Sequence, residues 1–558
     1  MPIIRRTDRP LGQTCFVAII LSSLLALQGC QSKDSQNQAD STPDTPQVET
    51  AESDTTPAEV VETTPSVEES EETPVAEEPR VEPLLTDWDK PAAAILLTGE
   101  THGHLEPCGC SERQSGGLSR RADLAKQLRA RGWPVTGFDL GGTVERTRRQ
   151  SEMKFDVNRD ALNTIGYKGL GLGPEDLKLG PEYLFTSFSN SQSRNDFDLP
   201  FVSANVTIFG TRDIGTPLSY RVIEVGDVKI GVTGVLGQTY LSEMFPGGEN
   251  PDPSLIQIDE PTQVLPGVLS QLQDEKPDVM MLLAYAKPDE SRALAEAFPE
   301  FDLVVTAGGP EDPVGDTEPV GDSLLLRVGT KGKNTAVVGF YPEASEGEKF
   351  RFKVIELDRF RFEHAPEIDE RFQEYQNLLE AENLVANEPA IPHERGAEYI
   401  FVGSEKCAEC HDEESAVWED SHHHKYGFKS LTVEFAQTSD DPSLKDRVRF
   451  DRIHDPECIC CHTAGWDPQE VLRYESGYVS ADQSAHLQGV HCENCHGPAS
   501  EHVTLEESGD ASDAEIEAER EKMHITAEWA ETNLCIKCHD HENSPDFEFD
   551  SYWKQIAH

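Results

Sequence analysis

Positive charge is scarce in this chain: 48 Lys and Arg stand against 103 Asp and Glu, a formal net charge of −55 over 558 residues. A phosphate backbone needs a basic footprint, so nucleic-acid binding is excluded as a default role. A basic protein or a small cation is what such a field would steer, and acidity also keeps an exported protein soluble. Long apolar runs are scarce too. The stretch Cys15–Leu27 has signal-peptide length and is too short to span a bilayer stably. Histidine is missing altogether between His104 and His364, and cysteine between Cys110 and Cys407. What is present is length, enough for about three or four average domains.

The first thirty residues read as an address. Arg5, Arg6 and Arg9 form a positive n-region ahead of the apolar stretch, which ends in Leu27-Gln28-Gly29-Cys30. That ending resembles the bacterial lipobox, in which the cysteine becomes the lipidated mature N-terminus; the plainer alternative is a secretory signal with a chance cysteine. Residues 31–88 follow as an acidic tether. From Gln31 to Asp87 it holds sixteen acidic residues, two basic ones and no aromatic residue. Such a segment cannot bury enough apolar area to offset its ordering entropy. As a flexible coil it would reach about 40 Å.

Nine of the thirteen cysteines fall between 407 and 538, and eight of these write one pattern four times. The four are Cys407-Ala-Glu-Cys410-His411, Cys458-Ile-Cys460-Cys461-His462, Cys492-Glu-Asn-Cys495-His496 and Cys535-Ile-Lys-Cys538-His539. This is the attachment signal for c-type haem. Two thiols three positions apart on one helical turn can each add to a vinyl group of one porphyrin, and the next residue, histidine, then faces the iron. A zinc ribbon needs paired cysteines but no histidine after each pair. Cys460 is the extra thiol of the second motif, expected to be a small packed side chain. Ten further histidines lie in this region, and four irons need at most four of them as sixth ligands.

The segments Tyr399–Gly403, Trp418–His423, Gly489–Val503, Ser544–Phe547 and Trp553–His558 resemble the tetrahaem cytochrome c-554 family over about 399–558. The resemblance implies four c-type haems, with His411, His462, His496 and His539 as proximal ligands and His423, His502 and His558 as distal ones. His422 and His424 stand as rivals to His423, because spacing cannot separate three consecutive histidines. It also implies that one haem lacks a protein sixth ligand. That haem is expected to be the second, at His462, unless His454 fills the position.

Residues 89–360 read as an α/β domain. Apolar runs suited to buried strands occur at Ala93–Leu97, Val135–Leu140, Phe201–Val206, Lys229–Val235, Val279–Leu283, Leu303–Thr306 and Leu324–Val328. Helical patterns such as Leu118–Ala130 and Pro288–Phe298 lie between several of them. The alternation predicts a mostly parallel sheet covered by helices. Leu97–His104, Gly116–Arg121, Asp139–Gly142 and Val202–Val206 resemble the metallophosphoesterase domain of the 5′-nucleotidase family. That family holds two metals so as to clamp both the attacking and the leaving oxygen. Here Glu100 stands for its Asp, Gly142 for its metal-bridging Asp, and Tyr285 for a histidine. Gly173–Asp176 and Ala307–Pro310 replace two of its histidine-bearing motifs. The expectation is a retained fold with lost phosphoester catalysis, and a residual His102, Glu100 and Asp139 cluster as the one candidate metal site. Cys108 and Cys110 form either a redox or soft-metal pair, or a structural disulfide or two packed thiols.

Ile368, Phe372, Tyr375 and Leu379 recur at steps of four, three and four, which predicts a helix within a 361–398 connector. The reading is therefore multidomain: an α/β metallophosphoesterase-like domain, then a mainly helical, haem-packed multihaem cytochrome c domain. The expected role is electron transfer on the periplasmic side of a bacterial membrane or at the cell surface. Other redox proteins would be the partners, and the membrane would be reached through a lipid on Cys30. The runner-up is an oxidoreductase acting on a small nitrogen or sulfur compound at one open haem; a metal-dependent phosphoesterase is disfavoured. Cys30→Ser is expected to move the protein from the membrane pellet to the soluble fraction, and a variant that still sediments with membranes excludes the lipid anchor.

Overall fold

A computed structural model describes residues 83–558 apart from 108–113, 213–216, 246–251, 314, 316, 346, 440 and 441. The expected export signal with Cys30, nearly all of the tether, and Cys108 and Cys110 lie outside the described residues. Leu84 and Leu85 are already buried, and Trp88 stacks on Trp133 with ring centres 6.4 Å apart, so folded packing begins a few residues ahead of position 89.

The apolar runs become strands. β1 (Ala93–Thr98), β2 (Val135–Asp139) and β3 (Tyr167–Leu170) pair in parallel. Next among the main-sheet strands, β4 (Arg221–Val225), β5 (Val228–Leu236), β6 (Val279–Tyr285), β7 (Leu303–Thr306), β8 (Glu318–Val320) and β9 (Ser323–Arg327) build a second sheet. β10 (Asn334–Phe340) and β11 (Phe350–Glu356) return to the first. The sheet orders are β11-β10-β1-β2-β3 and β8-β9-β7-β6-β5-β4. Parallel pairing holds at both centres, whereas β10, β11, β4 and β8 join antiparallel. One sheet is thus replaced by two.

Alternation along the strands shows how the layers stack. Ile95, Leu97, Phe138 and Val338 share a buried cluster with Ile230, Val232, Met281, Leu283 and Val305 of the other sheet. Leu282, Ala284 and Val304 point the opposite way, against Leu265, Leu269 and Leu272 of one helix (Pro261–Glu275) and Leu294 and Ala295 of another (Pro288–Ala297). At Phe201–Val206 the predicted strand gives only isolated bridges, and the paired strand is Val206–Ile208. Asn205 is the reason: it donates to the carbonyls of Leu236 and Asp259 at 2.8 and 2.9 Å and accepts from the Leu236 amide, tying the chain crosswise to the end of β5.

Two long helices of this part of the chain touch the C-terminal region. α1 (Arg149–Ile165) ends at Gly166, whose φ of 100° suits a residue without Cβ. α2 (Pro366–Ala381) opens with Pro366, Glu367 and Asp369 in its first turn, which favour a helix start. Its periodic face is buried: Ile368 and Phe372 lie in the α/β core, and Tyr375 and Leu379 pack with Met153 of α1 and with Leu384. Phe450 meets Phe372 edge-on at 6.5 Å, so this helix joins the α/β core to the region beyond 399.

That region consists of short helices and a small ribbon of Ala390–Ile391, Leu472–Tyr474 and Trp466–Asp467. Its own apolar cluster is modest, built around Phe401, Ile459, Trp466, Tyr478 and Leu487. Among the described residues no helix is long and apolar enough to cross a membrane. Phe372→Ala is expected to cost about 3–5 kcal/mol. Denaturant unfolding of the holoprotein reads it, and a loss of under about 1 kcal/mol would mean that α2 does not join the two cores.

Candidate haem sites and the degenerate α/β edge

Each cysteine pair with its histidine sits on a tight helical turn. Pro456–His462 and Cys492–His496 are α-helical, Ser404–Cys407 opens the first motif, and Cys535–Lys537 is a 3₁₀ turn. Asp455 caps the Pro456–His462 turn, accepting the Glu457 amide at 3.0 Å. Three of the motif histidines have their Nδ1 atoms engaged. His462 Nδ1 donates to the Gly427 carbonyl, His496 Nδ1 donates to Met523 O at 2.6 Å, and His539 Nδ1 lies 3.1 Å from Ser544 Oγ. Fixing Nδ1 in this way leaves Nε2 as the lone-pair nitrogen, the arrangement a metal-ligating histidine requires.

The rings then fall into pairs. His411 faces His502 with centres 6.3 Å apart, His539 faces His423 at 6.0 Å, and His496 faces His558 at 5.9 Å. Two imidazoles that ligate one iron from opposite sides through bonds of about 2 Å stand with ring centres roughly 6 Å apart. The residues present therefore fit haem. Burial, with His539, His422 and His462 close by, pushes His423 down to about 4, into the neutral form that can ligate. Its neighbours in sequence turn elsewhere: His422 meets Tyr426 at 5.0 Å and His424 meets Trp418 at 4.3 Å. His454 directs Nε2 towards Glu380 at 3.7 Å.

The motifs also approach one another in twos. The Cys407 thiol lies close enough to that of Cys492 to perturb it, and Cys461 stands likewise beside Cys538. Cys410 is exposed, Cys495 is partly buried and Cys535 is partly exposed. Cys460 is buried in the apolar cluster, with its thiol 3.3 Å from the Glu457 carbonyl, as a packed side chain would be.

The carboxyl ends of β1, β2, β3, β6 and β7 form the edge where α/β domains of this kind hold ligands. Here the edge is filled with protein. A Cβ at Gly142 would stand 2.6 Å from the Tyr285 hydroxyl, so the tyrosine occupies the space of the missing aspartate side chain. Tyr285 Oη lies 3.4 Å from Glu175 Oε2. Asp139 accepts from Thr98 Oγ1 at 2.6 Å and from the Gly141 amide at 2.9 Å. Asp176 takes the amides of Gly142, Thr143 and Gly173 and the Thr143 hydroxyl, yet burial lifts it to about 6. Glu100 is lifted to about 7 by burial and accepts the Gly308 amide at 3.0 Å. The candidate trio of His102, Glu100 and Asp139 does not gather: among the described residues no group of three or more His, Cys, Asp or Glu stands together as a cation site.

The same edge is a seam with the C-terminal region, and sequence reasoning missed it. Glu106 pairs with Arg449 and Arg452, while Arg146 and Arg148 donate to the carbonyls of Gln469 and Val471. Glu542, just after the fourth motif, receives His104 at 3.4 Å and Lys331. Gln114 donates to its carbonyl at 2.8 Å. Each partner is an ordinary charged or polar residue whose spacing carries no signal of contact.

Comparisons with known proteins agree with this division. Residues 406–497 match the family model for cytochrome c554 and c-prime. Cytochrome c-554 of Nitrosomonas europaea is 30% identical over 102 residues, 18% of this chain and 40% of that protein. The snake venom 5′-nucleotidase of Gloydius brevicauda is 28% identical over 175 residues, 30% of this chain and 28% of that protein. A 5′-nucleotidase precursor of Thermus thermophilus superposes with a TM-score of 0.43 at 18% identity, covering 52% of this chain and 59% of that one. The chain spans less than half the length of both curated relatives. The C-terminal segment is thus similar to cytochrome c-554, and the segment before it to a 5′-nucleotidase.

Gly142→Ala is expected to destabilise the chain by about 1–3 kcal/mol through overpacking, beyond the strain of its φ of 71°. In a Tyr285→Ala background the overpacking cost should vanish. Equal costs in both backgrounds, measured by denaturant unfolding, would show that Tyr285 does not fill the site.

Proposed function

We propose that this chain is an extracytoplasmic, lipid-anchored c-type cytochrome that passes electrons through four covalently held haems. The observation that carries the reading is the set of three facing imidazole pairs, each joining one motif histidine to one histidine outside the motifs. Cys407 and Cys410, Cys458 and Cys461, Cys492 and Cys495, and Cys535 and Cys538 would fix the four groups. His411, His462, His496 and His539 would ligate iron from one side. His502, His423 and His558 would close the first, fourth and third irons from the other.

Bound haem supplies the one-electron couple. The chain holds ligand imidazoles through Nδ1, so that little reorganises when the charge on the iron changes. The close approach of the first motif to the third, and of the second to the fourth, supports transfer within two pairs. Other redox proteins are the donors and acceptors, and Cys30 places the protein at a membrane. A second reading has one support: His454, the alternative ligand for the second iron, is directed at Glu380. On that reading the iron at His462 accepts an exogenous ligand, and small-molecule redox chemistry belongs there.

Optical and EPR titration with carbon monoxide tests both readings. Wild type is expected to bind one equivalent. His423→Ala should open a second ligand-accepting iron, whereas His422→Ala and His424→Ala should not. If His423→Ala binds no more than wild type, the assignment of the fourth iron falls. If wild type binds none, the relay stands and the open site falls.

A further inference from the structure

The α/β domain presents its former catalytic edge to the second motif, and one lysine bridges the two. Lys154, on the first turns of α1, places Nζ 3.0 Å from the carbonyl of Gly103 and 2.5 Å from Glu457 Oε2. Gly103 lies in the loop after β1, between His102 and His104. Glu457 immediately precedes Cys458, the first attaching thiol of the second motif. The lysine side chain is 12% exposed and the glutamate 37%. One turn earlier on α1, Gln150 donates to Asp455 Oδ1 at 2.7 Å and contacts Tyr375 Oη at 2.9 Å. Asp455 is buried and caps the helix that carries Cys458, Cys461 and His462. α1 therefore grips that helix at its cap and at its first charged residue. Burial alone would raise the Glu457 carboxyl, but Lys154, with Arg146 and His104 nearby, holds it below the ordinary carboxylate range.

We propose that the α/β domain, with its phosphoester site filled, serves as a positioning scaffold for the second haem, and that Lys154 is the positioning residue that sets that haem's electrostatic surroundings. The proposal rests on the four-haem reading above. Lys154 and Glu457 together are neutral. Without the lysine, Glu457 loses its hydrogen-bonded cation, and one net negative charge is added beside the attachment site of the second haem, where it stabilises the oxidised iron. The midpoint potential of that haem then falls, while those of the first and third, whose motifs make no such bridge to α1, stay in place. Arginine keeps the charge. Glu457→Gln removes the negative member and moves the potential the other way.

The test is a spectroelectrochemical titration of the holoprotein. Loss of one reduction wave, with loss of one haem by pyridine haemochrome, in Cys458→Ser/Cys461→Ser identifies the wave of the second haem. Lys154→Met is expected to lower that wave, with Lys154→Arg and Lys154→Met/Glu457→Gln lying close to wild type. Should Lys154→Met fail to accumulate, Glu457→Gln alone must raise the wave. A wave unmoved by either substitution, or all four waves moving together, overturns the scaffold and leaves the four-haem reading intact. A cysteine variant with the haem content of wild type overturns the attachment of a haem at Cys458 and Cys461, and with it the reading on which the proposal rests.

Discussion

On a helical turn, residues three apart share a side, and the residue that follows points across it. Four turns in the C-terminal third use that geometry to present two thiols and one imidazole together. Beyond residue 399 the chain is arranged so that a second imidazole meets three of those four. His502, His423 and His558 reach their partners from a short helix, from a run of three histidines and from the last position of the chain respectively. None is a sequence neighbour of the motif it faces. A region with so small an apolar cluster of its own needs such a constraint, because its side chains alone bury too little to order it.

The α/β domain shows a different economy. Its two sheets pack through continuous apolar faces, and the edge at the carboxyl ends of the strands is filled by protein groups. Gly142 makes room for the Tyr285 ring, Asp176 is committed to four donors, and Glu100 is capped by the Gly308 amide. Residues beside this edge contact the C-terminal region: His104 and Lys331 reach Glu542, and Lys154 of α1 reaches Glu457.

Much of the fold was legible from residue order. Leu118–Ala130 and the runs at 93, 135, 229, 279, 303 and 324 became the expected helix and strands, because continuous burial demands continuous apolar side chains. The four-residue steps from Ile368 to Leu379 marked the buried face of the connecting helix for the same reason. The division into two sheets was not legible. It depends on β4, β8, β10 and β11, whose sequences are short or alternate or give no sign of which strand they join. Phe201–Val206 misled because Asn205 spends its amide on the backbone of a distant strand, which no local pattern announces.

The haem sites divide in the same way. Sequence by itself marked where two cysteines stand three positions apart and which histidine follows each pair, because that pattern is local and is written within five residues. It also placed Gly142 and Tyr285 where the resembled family is expected to carry metal ligands. Only the tertiary structure decided that His423, and neither His422 nor His424, faces His539, and that His454 belongs to Glu380. Only it brought Lys154 to Glu457 across 303 positions. Facing imidazoles and pairs across a seam join residues far apart in the chain, and their distance is fixed by packing, which spacing in the sequence does not encode.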